Sequence, residues 1–187
     1  MSLFLQLFFV FIIIQRGIEF LIAKRNKEIM FARGGYEVGS RHYPVIVLLH
    51  VAFLLSVYVE AIWVATPPSW WIIPFMIFIV AQGLRIWILS SLKEYWNTKI
   101  IISPASKPVV KGPYQYLRHP NYVIVMVEMV TIPLIFGAYY SAIVFPLLNA
   151  LVLSFRIRVE EQALNQLDYQ EVMEETPRFI PFMKKHK

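Results

Sequence analysis

Two short polar stretches interrupt an otherwise apolar chain, and both hold residue types that bind and orient charged ligands. The first runs Lys111-Gly112-Pro113-Tyr114-Gln115-Tyr116-Leu117-Arg118-His119-Pro120-Asn121-Tyr122. Pro120, followed at once by an apolar run, reads as the first position of a helix, where a missing N–H costs nothing. A helix starting there turns its free N–H groups and positive dipole end toward Arg118 and His119, a setting suited to a carboxylate or phosphate. The same residues also fit a charged turn at a membrane boundary that only fixes topology. The second stretch is Arg156-Ile157-Arg158-Val159-Glu160-Glu161. Arg156 and Glu160 are four apart, and Arg158 and Glu161 three apart, so each pair can share a helix face. Taken alone, that is a salt-bridged helix end.

The elements that must position these groups are membrane helices. Of 187 residues, 58% are hydrophobic and 16% charged, with a mean hydropathy of +0.56. That balance excludes an ordinary soluble domain and indicates an all-α polytopic membrane protein forming a single domain over residues 1–187. The absence of cysteine excludes disulfides, thiolate catalysis and cysteine-bound metal. His42, His50, His119 and His186 show no paired ligand spacing, so no metal is expected. A net charge of +6 could suit nucleic acid. However, the lysines and arginines concentrate in residues 24–43, 93–120 and the tail from 156, whereas the turns at 66–69 and 137–140 carry none. By the positive-inside rule the basic segments and the C-terminus are cytoplasmic and the N-terminus lies outside, in the cell membrane if the source is bacterial. No nucleic-acid partner is expected.

Five spans are expected at about 3–23, 44–65, 70–92, 120–136 and 140–155, with residues 93–187 forming the catalytic region. The first is about 31 Å long at ~1.5 Å per residue, enough for the hydrocarbon core. The last two are short and read as a helical hairpin, followed by a cytoplasmic amphipathic tail. Residues 24–43 read as a basic loop in which Gly34 and Gly35 do not complete a dinucleotide-binding pattern. Several ionisable residues fall inside spans, where they are expensive and usually face the bundle interior. Arg16 and Glu19 are three apart and can pair. Arg85 is expected to snorkel. Glu60 is expected only to reach the outer interface, and Pro74 to kink the third helix. His50 lies near the cytoplasmic end of its helix. Glu128 is a mid-membrane carboxylate and so a candidate functional group.

Hairpin geometry brings the Arg-His-Pro turn and the Arg-Glu-Glu cluster to one end of the same helix pair. Carboxylates there could hold an ammonium. The helix N-terminus and His119 could hold a carboxylate, and tyrosines could face a sulfonium by cation–π contact. Those needs describe S-adenosyl-L-methionine, with a lipid-borne acceptor reaching the site from the bilayer.

The run Gly112 to Tyr122, followed by Arg156-x-x-x-Glu160-Glu161 and then Tyr169 and Arg178-x-x-Pro181, resembles the isoprenylcysteine carboxyl methyltransferase family. Trp96-Asn97-Thr98-Lys99-Ile100-Ile101 and the Arg33-to-Tyr43 loop resemble a bacterial branch of it. The resemblance implies a five-helix membrane methyltransferase dependent on S-adenosyl-L-methionine. It implies cofactor contacts from His119, Tyr122, Glu160, Tyr114 and the backbone of Val109, Val110 and Gly112. It places Arg156 and Glu161 where cofactor and acceptor meet, as the catalytic pair, with Arg156 orienting an acceptor oxygen. Arg118, Glu128 and His50 are the candidates for substrate binding. Where relatives often carry a second tail tyrosine, this chain has Val172.

The acceptor expected is a lipophilic carboxylate, phenol or enol, such as a prenylcysteine-like molecule, a long-chain alkylpyrone or an alkylresorcinol. A carboxylate is already ionised at neutral pH, whereas a phenol or enol gains from a base or a nearby cation. Three other readings stand beside this one. Membrane sterol reductases share a His-Pro-Asn-Tyr turn but bind NADPH, and typically continue with Gly-Glu where this chain has Val123-Ile124-Val125. Phospholipid N-methylation differs only in the acceptor. A non-catalytic membrane protein would use the same motifs for packing.

Overall fold

In the computed structural model, which describes residues 2–64, 66–104, 109–165 and 176–179, five helices carry the fold. They are α1 Leu3–Ala32, α2 Tyr43–Val64, α3 Ile72–Leu92, α4 Pro120–Phe136 and α5 Tyr139–Leu164. α1, α2, α3 and α5 are long and apolar enough to cross a membrane, and α4 is a shorter apolar helix. Most of their apolar side chains face outward, Trp63, Ile86 and Leu151 among them. That is the reverse of a water-soluble bundle and what a lipid solvent requires. The chain is an all-α polytopic membrane protein, with one small ribbon added.

α4 lies between α3 and α5 and is the most enclosed helix, burying residues from Pro120 and Tyr122 to Ile135 and Phe136. Away from the basic loops the core is aromatic. The Phe8 ring meets Phe75, Phe78 and Phe136 at centroid separations of 5.6, 5.2 and 5.7 Å. At the same end, Gly137 closes α4 in the left-handed conformation, φ 75°, and turns the chain into α5. The Glu60 carboxylate accepts from the backbone N–H groups of Tyr140 and Ser141 at 2.9 and 3.0 Å. Glu60 therefore caps α5 and ties it to α2, rather than merely reaching the interface, because free N–H groups at a helix start attract an anion.

At the basic end, three boundaries differ from the sequence expectation. α1 continues nine residues past Ala23, since Lys24 to Ala32 is polar but rich in strong helix formers. It stops at Gly34, φ 81°, and Gly35, where a Cβ would lie 2.7 Å from the Met30 carbonyl oxygen. Asn26 fixes this extension by donating to the carbonyls of Lys93 and Trp96 at 3.0 and 2.7 Å. α5 likewise runs unbroken to Leu164 instead of ending at 155, so the Arg-Glu-Glu cluster sits on the hairpin helix itself. Third, the loops pair. β1 Tyr36–Val38 and β2 Ile100–Ile102 form an antiparallel ribbon in the register Tyr36↔Ile102, Glu37↔Ile101, Val38↔Ile100. Ile100 and Ile102 pack with Ala163 of α5, seating the ribbon beside the cluster. Pro74 falls in the first turn of α3, where it leaves no hydrogen bond to break. The amphipathic tail, with Tyr169, Val172 and Pro181, lies outside the described residues.

Candidate active site

The Arg-His-Pro turn is anchored before it reaches the site. Gly112, φ 58°, lies so close to α3 that a Cβ there would sit 2.1 Å from Ser91 Oγ and 3.0 Å from Trp87 Nε1. A short 3-10 turn over Gly112–Gln115 follows, and His119 then precedes α4 with Pro120 as the first helical residue. Residues 176–179 lie along this turn. The N–H groups of Arg118 and His119 donate to the carbonyls of Pro177 and Arg178 at 2.9 and 3.3 Å. One turn into α4, the Tyr122 ring stacks on His119 at a centroid separation of 5.4 Å.

α5 brings its three charged residues onto this pair. Arg156, 6% exposed, donates from Nε to the Tyr122 hydroxyl at 2.8 Å and from Nη2 to the Thr98 carbonyl at 2.7 Å. Tyr122 in turn donates a short hydrogen bond to Glu160 Oε2. Arg156 and Glu160 share a face of α5 as their spacing requires, but the tyrosine hydroxyl joins them. Glu161 accepts from His119 Nε2 at 3.1 Å, pairs with Arg178 through both oxygens and has Arg118 Nη1 at 3.5 Å. That carboxylate raises the pKa of the Arg178 guanidinium through the hydrogen bond. Arg158 is exposed, and Glu161 turns away from it to these three partners.

The ribbon contributes a second charged group beside the site. Glu37 accepts from Lys99 at 2.8 Å and from Lys27 at 3.0 Å. Partial burial opposes its ionisation, but the two lysines outweigh that and hold the carboxyl below the ordinary carboxylate range. Lys99 is raised in return by its hydrogen bond to Glu37.

His119, Tyr122, Arg156, Glu160, Arg118 and Lys99 border one cavity of about 390 Å³. Its polar end is lined by Tyr114, Arg118, His119, Tyr122, Arg156 and Glu160. From there it descends between α1 and α2 past Val47, Val51, Leu54 and Met129 to a second polar group. There Glu128 accepts from Arg16 at 2.9 Å, Gln82 at 2.7 Å and Arg85 at 3.1 Å, while Glu19 pairs with Arg16 at 2.7 Å and Arg85 at 3.3 Å. Arg85 thus does not snorkel. It is 4% exposed, because two carboxylates inside the bundle give it a better partner than the distant interface. His50 lines the cavity near this group, and its Nδ1 donates to the Ile46 carbonyl at 2.8 Å.

Of the residues expected from the sequence, His119, Tyr122, Tyr114, Glu160, Arg156, Arg118, Glu128 and His50 meet at this cavity. Glu161 stands behind its wall, holding His119. Val109, Val110 and Gly112 are not among the lining residues, and Gly112 packs on α3 instead. Sequence reasoning missed Tyr43, Thr98 and Asn121. Each lies inside a stretch the sequence singled out, Asn121 in the first polar stretch, Thr98 in the Trp96-to-Ile101 run and Tyr43 at the end of the basic loop.

The model of the isoprenylcysteine carboxyl methyltransferase family matches residues 72–166, which run from α3 to the end of α5 and include every α4 and α5 residue of the site. The chain belongs to this family. It is therefore a membrane methyltransferase, and the segment that defines the family carries Arg118, His119, Tyr122, Arg156, Glu160 and Glu161. Arg16, Glu19 and His50 come from helices outside the matched segment. The chain is 40% identical to the uncharacterized protein YpbQ of Bacillus subtilis over 156 residues, 83% of this chain and 93% of that one. It is 30% identical to an uncharacterized protein of Haemophilus influenzae over 171 residues, 88% of this chain and 97% of that one.

Proposed function

We propose that this methyltransferase uses S-adenosyl-L-methionine to methylate an oxygen of a lipophilic acceptor drawn from the bilayer. The observation that carries the reading is the continuity of the cavity. One space joins the Arg156–Tyr122–Glu160–His119 group to an apolar channel whose lining residues Phe20, Val47 and Val51 are also exposed on the membrane-facing flank.

The residues present fit the cofactor. Glu160 offers a carboxylate for an ammonium, Arg118 offers N–H donors for a carboxylate, and Tyr114 and Tyr122 offer aromatic faces for a sulfonium. Three buried atoms on lining side chains, Trp96 Nε1, Arg118 Nε and Asn121 Oδ1, have no hydrogen-bond partner among the described residues. When bound, S-adenosyl-L-methionine supplies an electrophilic methyl group and departs as a neutral thioether.

The chain's own residues then have to orient an acceptor and exclude water. Arg156 is suited to the first task, since Tyr122 and the Thr98 carbonyl hold its guanidinium in one position. A fixed buried cation favours an anionic oxygen acceptor and disfavours an amine, which supports O- over N-methylation. A carboxylate acceptor needs only this orientation, whereas a phenol or enol is also helped to ionise.

The test is transfer of radiolabelled methyl from S-adenosyl-L-methionine to the organic-extractable lipids of membranes carrying the protein. Arg156→Gln should lower transfer by about 10²-fold, the scale of losing one preorganised charge contact. Alkali-labile product marks a carboxyl ester, and alkali-stable product an ether. Unchanged transfer by Arg156→Gln would remove that residue from the mechanism.

A further inference from the structure

The Arg16–Glu19–Arg85–Glu128 group is costly to place inside a membrane. Were it only glue between helices, it would be packed shut. Its members are not equally enclosed: the Arg85 and Glu128 side chains are 5% exposed and Glu19 10%, but Arg16 is 27% exposed. Since Arg16, Glu19, Arg85 and Glu128 all line the cavity, the open side of Arg16 faces it. A guanidinium carries more N–H donors than its pairs with Glu19 and Glu128 use.

His50 supplies the complementary group. A carbonyl oxygen can only accept, so Nδ1 carries the proton shared with Ile46, and in the neutral ring Nε2 is an acceptor on the cavity side. Two carboxylates balance two guanidiniums, so the group has no net charge with which to hold an ion. A donor beside an acceptor in a neutral setting suits a hydroxyl, which can accept from Arg16 and donate to His50. The depths agree. His50 lies seven residues beyond Tyr43 on α2 and Glu128 six beyond Tyr122 on α4, so each is about 10 Å below the Arg156 level at ~1.5 Å per residue.

We propose that Arg16 and His50 bind a second, uncharged polar group of the methyl acceptor, best a hydroxyl, about 10 Å deeper than the transfer site. The acceptor class is then an amphiphile polar at two points rather than a single head on a plain hydrocarbon tail. This rests on the methyltransferase reading above and adds to it.

The test uses full-length protein in detergent with three probes: S-adenosylhomocysteine, mid-chain hydroxyhexadecanoic acid, and the isomer hydroxylated next to the carboxyl group. The mid-chain isomer should bind about tenfold more tightly than the other, the effect of one or two well-placed hydrogen bonds. His50→Phe should abolish that preference and leave S-adenosylhomocysteine affinity unchanged. Equal binding of the isomers, binding of neither, or a preference that survives His50→Phe overturns the proposal. If His50→Phe does not fold, the isomer comparison on the native chain decides. Failure of S-adenosylhomocysteine to bind the native chain would instead sink the methyltransferase reading.

Discussion

The cavity has two polar ends, and they are built in opposite ways. At the loop end, Arg118, His119 and Tyr122 come from one short stretch, Arg156, Glu160 and Glu161 from another, and loop backbone completes the set through Thr98, Pro177 and Arg178. In the membrane, α1 gives Arg16 and Glu19, α3 gives Gln82 and Arg85, and α4 gives Glu128. Among the described residues both ends keep buried polar atoms without partners, on Trp96, Arg118 and Asn121 at the first and on Gln15, bonded to Glu19 and Gln82, at the second. The second converges three donor side chains on a single carboxylate. One end is completed by loop backbone. The other pins three helices together and leaves one cation facing the channel.

That contrast breaks most visibly at Glu128. Glu128→Ala strands the Arg16 and Arg85 charges and should lower stability by roughly 3 kcal/mol, the order expected when one partner of a buried pair is removed. Thermal or denaturant unfolding in detergent would show it, and a loss below about 1 kcal/mol would mean that the group does not hold the bundle. The smallest expected effect is at the loop end, where the lysine partners of Glu37 are partly open to solvent. Its folded pKa is depressed, so its pairing with Lys99 and Lys27 stabilises the ribbon fully above the ordinary carboxylate pKa. That stability is lost as pH falls through the lower folded value. Lys99→Met should cost at most about 1 kcal/mol near neutral pH. The deficit relative to the native chain should shrink on acidification, and an unchanged deficit at low pH would exclude this pairing as its source.

How much was legible in the sequence follows the same division. The start of α4 at Pro120 and its end at Phe136 could be read from proline and glycine placement. The loop-end residues could be named because motif spacing keeps them together. The ribbon could not, since Ile100–Ile102 pairs with a strand about sixty residues away and is too short for alternation to register. The pairing of Arg85 is hidden for a related reason. One arginine on an apolar helix looks alike whether it snorkels or finds carboxylates on two other helices, and only tertiary packing decides. The end of α1 is not legible from polarity, because Lys24 to Ala32 leaves the apolar layer while remaining helical.

The central claim is that the loop end holds S-adenosyl-L-methionine. Its most direct test is binding of S-adenosylhomocysteine and of NADPH, side by side, to purified protein and to His119→Ala. The account predicts S-adenosylhomocysteine binding in the micromolar range, lost in His119→Ala while the melting temperature stays close to that of the native chain, and no binding of NADPH. NADPH binding without S-adenosylhomocysteine binding would contradict it, and so would S-adenosylhomocysteine affinity indifferent to His119.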